Sequence, residues 1–211
     1  MAISTLNKSF TLLIMLLIPL NAGSDSPESR LRQLNPFNSD SLATVLATHY
    51  SIQSLLPYLQ SANPLVLQTI QRALAQIPDF PIKLSPMPTD PVWQLRGLLK
   101  SAHYYCIRYP EKSGLLPFSR FYPLIGEFSD PIILIPLADL FQFDHSDSSR
   151  VYLRFLAHHA HPVVRRYAVH SLCILADPID RPLVQSLTDS DDFYIRFTAR
   201  NGLQRFQGEK P

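Results

Sequence analysis

The chain has 211 residues, with 19 Lys and Arg against 17 Asp and Glu, for a formal net charge of +2. That balance excludes the basic excess that nucleic acid demands, and it leaves no acidic tail. With 19 Pro but only 6 Gly, the composition argues against a sheet-rich fold of tight hairpins. It favours many short helices, each opened by a proline in its first turn.

The first segment reads as a targeting signal. Met1 to Ser9 carries one positive charge, Lys8, and no acid, and an apolar run from Phe10 to Leu20 follows, interrupted by Thr11. Asn21, Ala22, Gly23 and Ser24 then provide a small, polar exit. This is the signal-peptide pattern. It assigns residues 1–23 to a signal peptide cleaved after Ala22 or Gly23, and the location to the bacterial periplasm. The apolar run is short for a bilayer span, so no stable membrane insertion is expected after cleavage. An uncleaved anchor and a buried helix are the alternatives. The remaining span, 24–211, suits one domain.

Further elements follow in chain order. Ser51–Gln60 predicts a helix, and Asn63-Pro64 opens a second that runs to Leu74. Ile77 to Thr89 holds Pro78, Pro81, Pro86 and Pro88 and reads as an irregular insertion rather than a helix. Asp90-Pro91 opens a weaker helix to Leu99, and Asp130-Pro131 opens another to Phe141, in which Pro136 should cause a kink or displace the start. Arg150–His158 precedes a helix from His161 to Leu172. Arg181–Thr188 precedes one from Asp192 to Leu203.

The last segments repeat. Val164, Arg165, Ala168 and Leu172 recur 31 residues later as Ile195, Arg196, Ala199 and Leu203. Val164, Ala168 and Leu172 form one helical face with a small residue where two helices cross closely. Asp130–Phe141 fits the frame one period earlier, Asn63–Leu74 fits it too, and Trp93 and Gly97 fill its slots more loosely. This second-helix pattern, Asp/Asn/His-Pro-x-Val-Arg-x-x-Ala-x-x-x-Leu, resembles the HEAT repeat of the short, phycobilisome-lyase type. The likeness is clear over 149–206, good over 50–77 and loose over 85–145; Leu67 and Leu134 stand where the repeat has Arg. It implies an all-α fold, an α-solenoid of about five helix-turn-helix units over 24–211. Second helices would line a concave inner surface of the kind that binds proteins.

Chemistry is sparse. Cys106 and Cys173 enter an oxidising compartment if the chain is exported. The repeat frame separates them by about two units, beyond disulfide reach, so two buried free thiols are expected. His158, His159 and His161 sit in a turn, not at the i, i+4 spacing of helical metal ligands, so no metal is assigned. His158 is expected near its helix C-terminus and His161 in a cap-like slot. The family's iron-binding hydroxylases carry His-Glu pairs, which this chain lacks. Asp189, Asp191 and Asp192 read as helix-start acids. Asp144 and Asp147 lie in a polar loop without the Gly and Glu of a calcium loop. No phosphate loop, nucleophile elbow or Cys-x-x-Cys motif occurs, so no catalytic residue and no cofactor is assigned. Tyr104, Tyr105, Phe118, Phe121, Tyr122, Phe141 and Phe143 read as core, or as a groove for an apolar peptide or lipid.

Positions two and six beyond the Val slot should face away from the first helix. They are Gln68, Arg72, Ile135, Asp139, Arg166, His170, Phe197 and Asn201. Such a mixed row suits a peptide, though a plain solvated face would look alike. The expectation is a scaffold or assembly factor that binds another protein or peptide and carries no nucleic acid. The alternative is a lyase-like enzyme, or a small-molecule or lipid binder, using the aromatic mid-chain.

Overall fold

The computed structural model describes residues 26–84 and 86–207. The segment expected to be a signal peptide lies outside them. Every regular element among the described residues is helical. The α-helices are α1 (Pro27–Leu31), α2 (Ser39–His49), α3 (Ile52–Leu55), α4 (Pro64–Gln76), α5 (Phe80–Lys83) and α6 (Val92–Arg108). They continue as α7 (Tyr122–Glu127), α8 (Pro131–Leu140), α9 (Asp147–Ala157), α10 (Pro162–Leu175), α11 (Arg181–Ser186) and α12 (Phe193–Gly202). Short 3₁₀ turns extend several of them, such as Leu56–Gln60 after α3 and Leu187–Asp189 after α11.

The even-numbered helices form a row. α2 packs on α4, α4 on α6, α6 on α8, α8 on α10 and α10 on α12. Shorter elements pack against the row, α9 on α10 and the turn Leu56–Gln60 on α4 and α6. Six pairs of a short and a long helix follow one another, where the sequence pattern predicts about five. The added pair is α1 and α2, which carries no Pro-x-Val frame.

Four of the long helices start where the frame places them, and α6 starts one residue later, at Val92 with Pro91 as its N-cap. Asn63, Asp130 and Asp192 are N-caps, each accepting from a backbone N–H in its first turn, and Pro64 and Pro131 fill the first helical position. His161 is the N-cap of α10 but makes no side-chain cap bond; Pro162 still sets the first φ. The repeat face is fully buried: Val164, Ala168 and Leu172 are 0% exposed. α10 stops at Ala176, whose φ of 49° is left-handed, before Asp177-Pro178.

Three expectations need correcting. Pro136 does not displace the start of α8, because Asp130 Oδ1 accepts from Ile132 N at 2.9 Å and anchors it. The stretch 77–89 holds one short helix, α5, which Asp79 and Lys83 bridge by an ion pair and whose Phe80 is fully buried. α6 runs to Arg108 rather than Leu99, because Leu95, Leu99, Ala102 and Cys106 keep one face buried over about three turns.

Two glycines mark tight crossings. A Cβ on Gly202 would lie 2.2 Å from Cys173 Sγ, so α10 and α12 approach there at backbone distance. On Gly97 it would meet the methyl groups of Leu59 at 2.7 and 2.8 Å. Cys106 and Cys173 are free and buried, as expected. Burial pushes both thiols up to about 12, with Arg205 opposing slightly at Cys173. Tyr105, Phe118, Phe121 and Phe141 are core residues, and Tyr104, Tyr122 and Phe143 pack partly buried against that core.

Candidate functional site

The expected row falls on four of the long helices and is knit by contacts that cross from helix to helix. On α4, Arg72 is ion-paired with Asp40 of α2, and its guanidinium lies 5.7 Å from the centre of the Tyr104 ring of α6. Gln68 Nε2 donates to the Tyr104 hydroxyl at 3.4 Å. On α8, Asp139 Oδ2 lies 3.2 Å from His103 Nε2 of α6, while Gln142 Nε2 donates to Asp139 Oδ1 at 3.1 Å. Ile135 is half-buried against the core. On α10, Arg166 Nε donates to both carboxylate oxygens of Asp192 at 3.1 Å and stacks 4.4 Å over the Tyr194 ring.

Arg72, Asp139 and Arg166 are therefore committed to internal partners. They hold neighbouring helices together as much as they face outward. Charge balance shows the same. Burial of Asp192 resists its ionisation, yet the Arg166 hydrogen bond and the N–H groups of Ile195 and Tyr194 outweigh it and lower its pKa. His103 is pushed below the usual histidine value by burial, against the pull of Asp139 and with help from Lys100.

The far end of the row differs. His170, Cys173 and Ile174 of α10, Phe197, Thr198, Asn201 and Gly202 of α12, and Arg205 line a cleft of about 220 Å³. His170, Asn201 and Arg205 have no hydrogen-bond or ion-pair partner among the described residues, and Phe197 is 57% exposed. The surroundings of the His170 ring lower its pKa, Asp139 pulls the other way, and Arg205 adds to the lowering. The cleft thus offers three unspent polar groups beside an aromatic ring. Such an arrangement can take a carboxylate flanked by an apolar group.

Sequence reasoning missed His103 and Arg205, and it read Tyr104 as a mid-chain aromatic without placing it beside the row. Counting two and six from Trp93 lands on Leu95 and Leu99, both fully buried. The usable signal was the polar stripe Arg96, Lys100, His103 and Tyr104, which lies at helical spacing. Arg205 lies past the last repeat position, and no signal pointed to it.

The histidine turn does not converge. His159 Nδ1 accepts from His161 N at 3.1 Å, and His158 is the C-cap of α9. Among the described residues no three His, Cys, Asp or Glu side chains come together in a group that could hold a metal ion. Asp144 instead anchors a structural knot: Tyr122 donates to its Oδ2 at 2.6 Å, and Ser146 N to its Oδ1 at 3.1 Å. Comparison with family models, with curated proteins and with solved structures finds no match.

Proposed function

We propose that the chain is an exported binding scaffold, a HEAT-like α-solenoid that holds a peptide segment of another protein along the row, anchored in the α10–α12 cleft. One observation carries this reading. His170, Asn201, Arg205 and Phe197 surround an open cleft and have no internal hydrogen-bond or ion-pair partner, whereas the other polar row residues are already paired. Unpaired polar groups beside an exposed ring are what a bound segment would satisfy. The segment would carry an acidic side chain, or a chain-terminal carboxylate, next to an apolar one. Support for export comes from residues 1–23 alone. Among the described residues no helix is long and apolar enough to cross a membrane.

The test is affinity capture from the envelope fraction of the source cells, run beside the variant His170→Glu, Arg205→Glu. Both residues are exposed and unpaired, so the fold should be untouched. A protein held by the natural chain and lost by the variant supports the reading, and equal capture by both removes it. N-terminal sequencing of the protein isolated from cells tests export. A start at Gly23 or Ser24 is expected, and a start at Met1 contradicts cleavage.

A further inference from the structure

α6 presents one polar stripe beside the row. Arg96, Lys100, His103 and Tyr104 follow at i, i+4, i+7 and i+8, turned away from the buried line Leu95, Leu99, Ala102 and Cys106. Contacts with the neighbouring helices fix the direction of this stripe. Tyr104 meets Gln68 and Arg72 of α4, and His103 meets Asp139 of α8. Arg96 and Lys100 therefore stand on the same surface as the row.

Neither cation is spent. Arg96 is exposed and Lys100 half-buried, and among the described residues neither has a hydrogen-bond or ion-pair partner. They are like charges at i, i+4, which repel one another on a helix and which a bound acid would relieve. Lys100 also opposes protonation of His103, as Arg205 opposes that of His170 in the cleft. The surface thus carries an unneutralised positive point at each end, Arg96 with Lys100 on α6 and Arg205 in the cleft. Between them lies Asp139, which is held by His103 and Gln142 and also acts on His170.

This charge order selects the occupant. A polyanion charged at every step would meet Asp139 midway, whereas a peptide acidic at two separated points and neutral between them would not. Ile135 of α8 offers the neutral part an apolar contact. From α6 to the α10–α12 cleft is two to three helix spacings, about 20–30 Å, which an extended chain covers in about six to nine residues. We propose that Arg96 and Lys100 form a second anchor for the segment held in the cleft, so that the partner is an extended peptide with two acidic positions about six to nine residues apart. The proposal rests on the cleft reading and adds to it a site on a helix that does not line the cleft.

The test is fluorescence anisotropy of the full chain with labelled synthetic peptides. Each has a leucine–glutamate pair at one end, a glutamate pair at the other, and a glycine–serine spacer of about two, six or twelve residues, made in both chain directions. Affinity should peak at the middle spacer and exceed that of a peptide with the leucine–glutamate pair alone by at least about tenfold. Arg96→Glu with Lys100→Glu should remove that gain and leave binding of the single-ended peptide unchanged. On this variant, a peptide with lysines in place of the glutamate pair should regain it, a rescue that misfolding cannot produce. Equal affinity at all spacers, or a gain that survives the two substitutions, overturns the second anchor. If the single-ended peptide binds and is lost with His170→Glu, Arg205→Glu while the second pair adds nothing, the cleft reading stands and this proposal falls. If no peptide binds, both fall. Tighter binding of an oligonucleotide of equal charge, lost with Arg96→Glu and Lys100→Glu, overturns the peptide as occupant.

Discussion

The stretch 130–207 and the stretch 77–127 are both largely helical but are held together in different ways. In the later stretch, charged links join successive elements. Arg150 pairs with Asp177 at 3.1 Å, Arg154 with the fully buried Asp180, and Arg166 with Asp192 at 3.0 Å. Asp130 and Asp192 also cap α8 and α12 through their side chains, which fixes where those two helices begin. In the earlier stretch the links are rings and carbonyls. Tyr105 lies 6.3 Å from Phe80 and 5.3 Å from Tyr109, and Arg120 Nη1 donates to Leu84 O at 2.8 Å. Directional polar contacts repeat well from unit to unit, whereas volume-filling aromatics follow local shape.

If that contrast is right, the later stretch should be the more sensitive to losing one charge. Arg154→Ala leaves Asp180 at 0% exposure, with Oδ2 already lacking a hydrogen-bond partner. Destabilisation of about 3 kcal/mol is expected in urea titration. Asp180→Asn in the Arg154→Ala background should recover part of it, because the buried charge is gone. A loss under about 1 kcal/mol would show that the pair is no more than a surface link.

Backbone contact should rank next. Gly202→Ala drives a methyl to 2.2 Å from Cys173 Sγ and 2.6 Å from its Cβ, and the Cβ is fixed to the α10 backbone, so about 1–3 kcal/mol should be lost. Gly97→Ala meets only the outer end of the Leu59 side chain, its two methyl groups and Cγ, which can shift by rotation, so its cost should be smaller. Thiol labelling sharpens the contrast. Both cysteines should resist alkylation in the natural chain, and Gly202→Ala should expose Cys173 while Cys106 in α6 stays protected.

Much of the later stretch was legible because its polar signals recur. The Asp-Pro and His-Pro starts and the recurrence of the Val164–Ala168–Leu172 spacing locate the starts of α8, α10 and α12 to the residue, while α10 runs three residues past the expected Leu172. The earlier stretch hid its plan. α5 needs only four residues and one i, i+4 ion pair, too little to stand out among the prolines of 77–89. The register of α6 was misjudged because Trp93 is bulky but only half-buried, while the buried face begins at Leu95. The row itself was legible as a direction on each helix. Which of its members were already paired was not, because Asp40, Tyr104 and His103 lie outside the repeat frame.

Acid and base should act on the two stretches through groups that the fold holds neutral. Cys106 and Cys173 rise from 9.0 to about 12 in the folded chain. Above pH 9 the unfolded chain therefore holds fewer protons than the folded one, and stability should fall as pH rises from about 9 toward 12. Tyr122, raised from 10.0 to about 12 by burial and then by Asp144, adds to the same loss. His103 and His170 are lowered, so on the acid side the unfolded chain takes up protons first, and stability should fall as pH drops below 6.5. Urea midpoints measured across pH should show both limbs. His103→Gln should flatten the acid limb.

The smallest expected effect tests whether the helix end in the regular stretch is as well built as its start. Ala176 sits at φ 49°, the one positive φ among non-glycine residues described, and closes α10 by donating its N–H to Leu172 O at 2.9 Å. An alanine there crowds its Cβ against the following carbonyl, while glycine at this position has no such penalty. Glycine, however, gains freedom in the unfolded chain, which offsets part of the relief. The balance favours Ala176→Gly by a few tenths to about 1 kcal/mol, read as a small rise in thermal midpoint. Ala176→Val, with a β-branch at the same φ, should move the midpoint down by more than glycine raises it. If valine is tolerated, the left-handed closure is not what ends α10, and the stop falls to Asp177-Pro178, where Asp177 Oδ1 accepts from Ile179 N at 2.9 Å and caps the next turn.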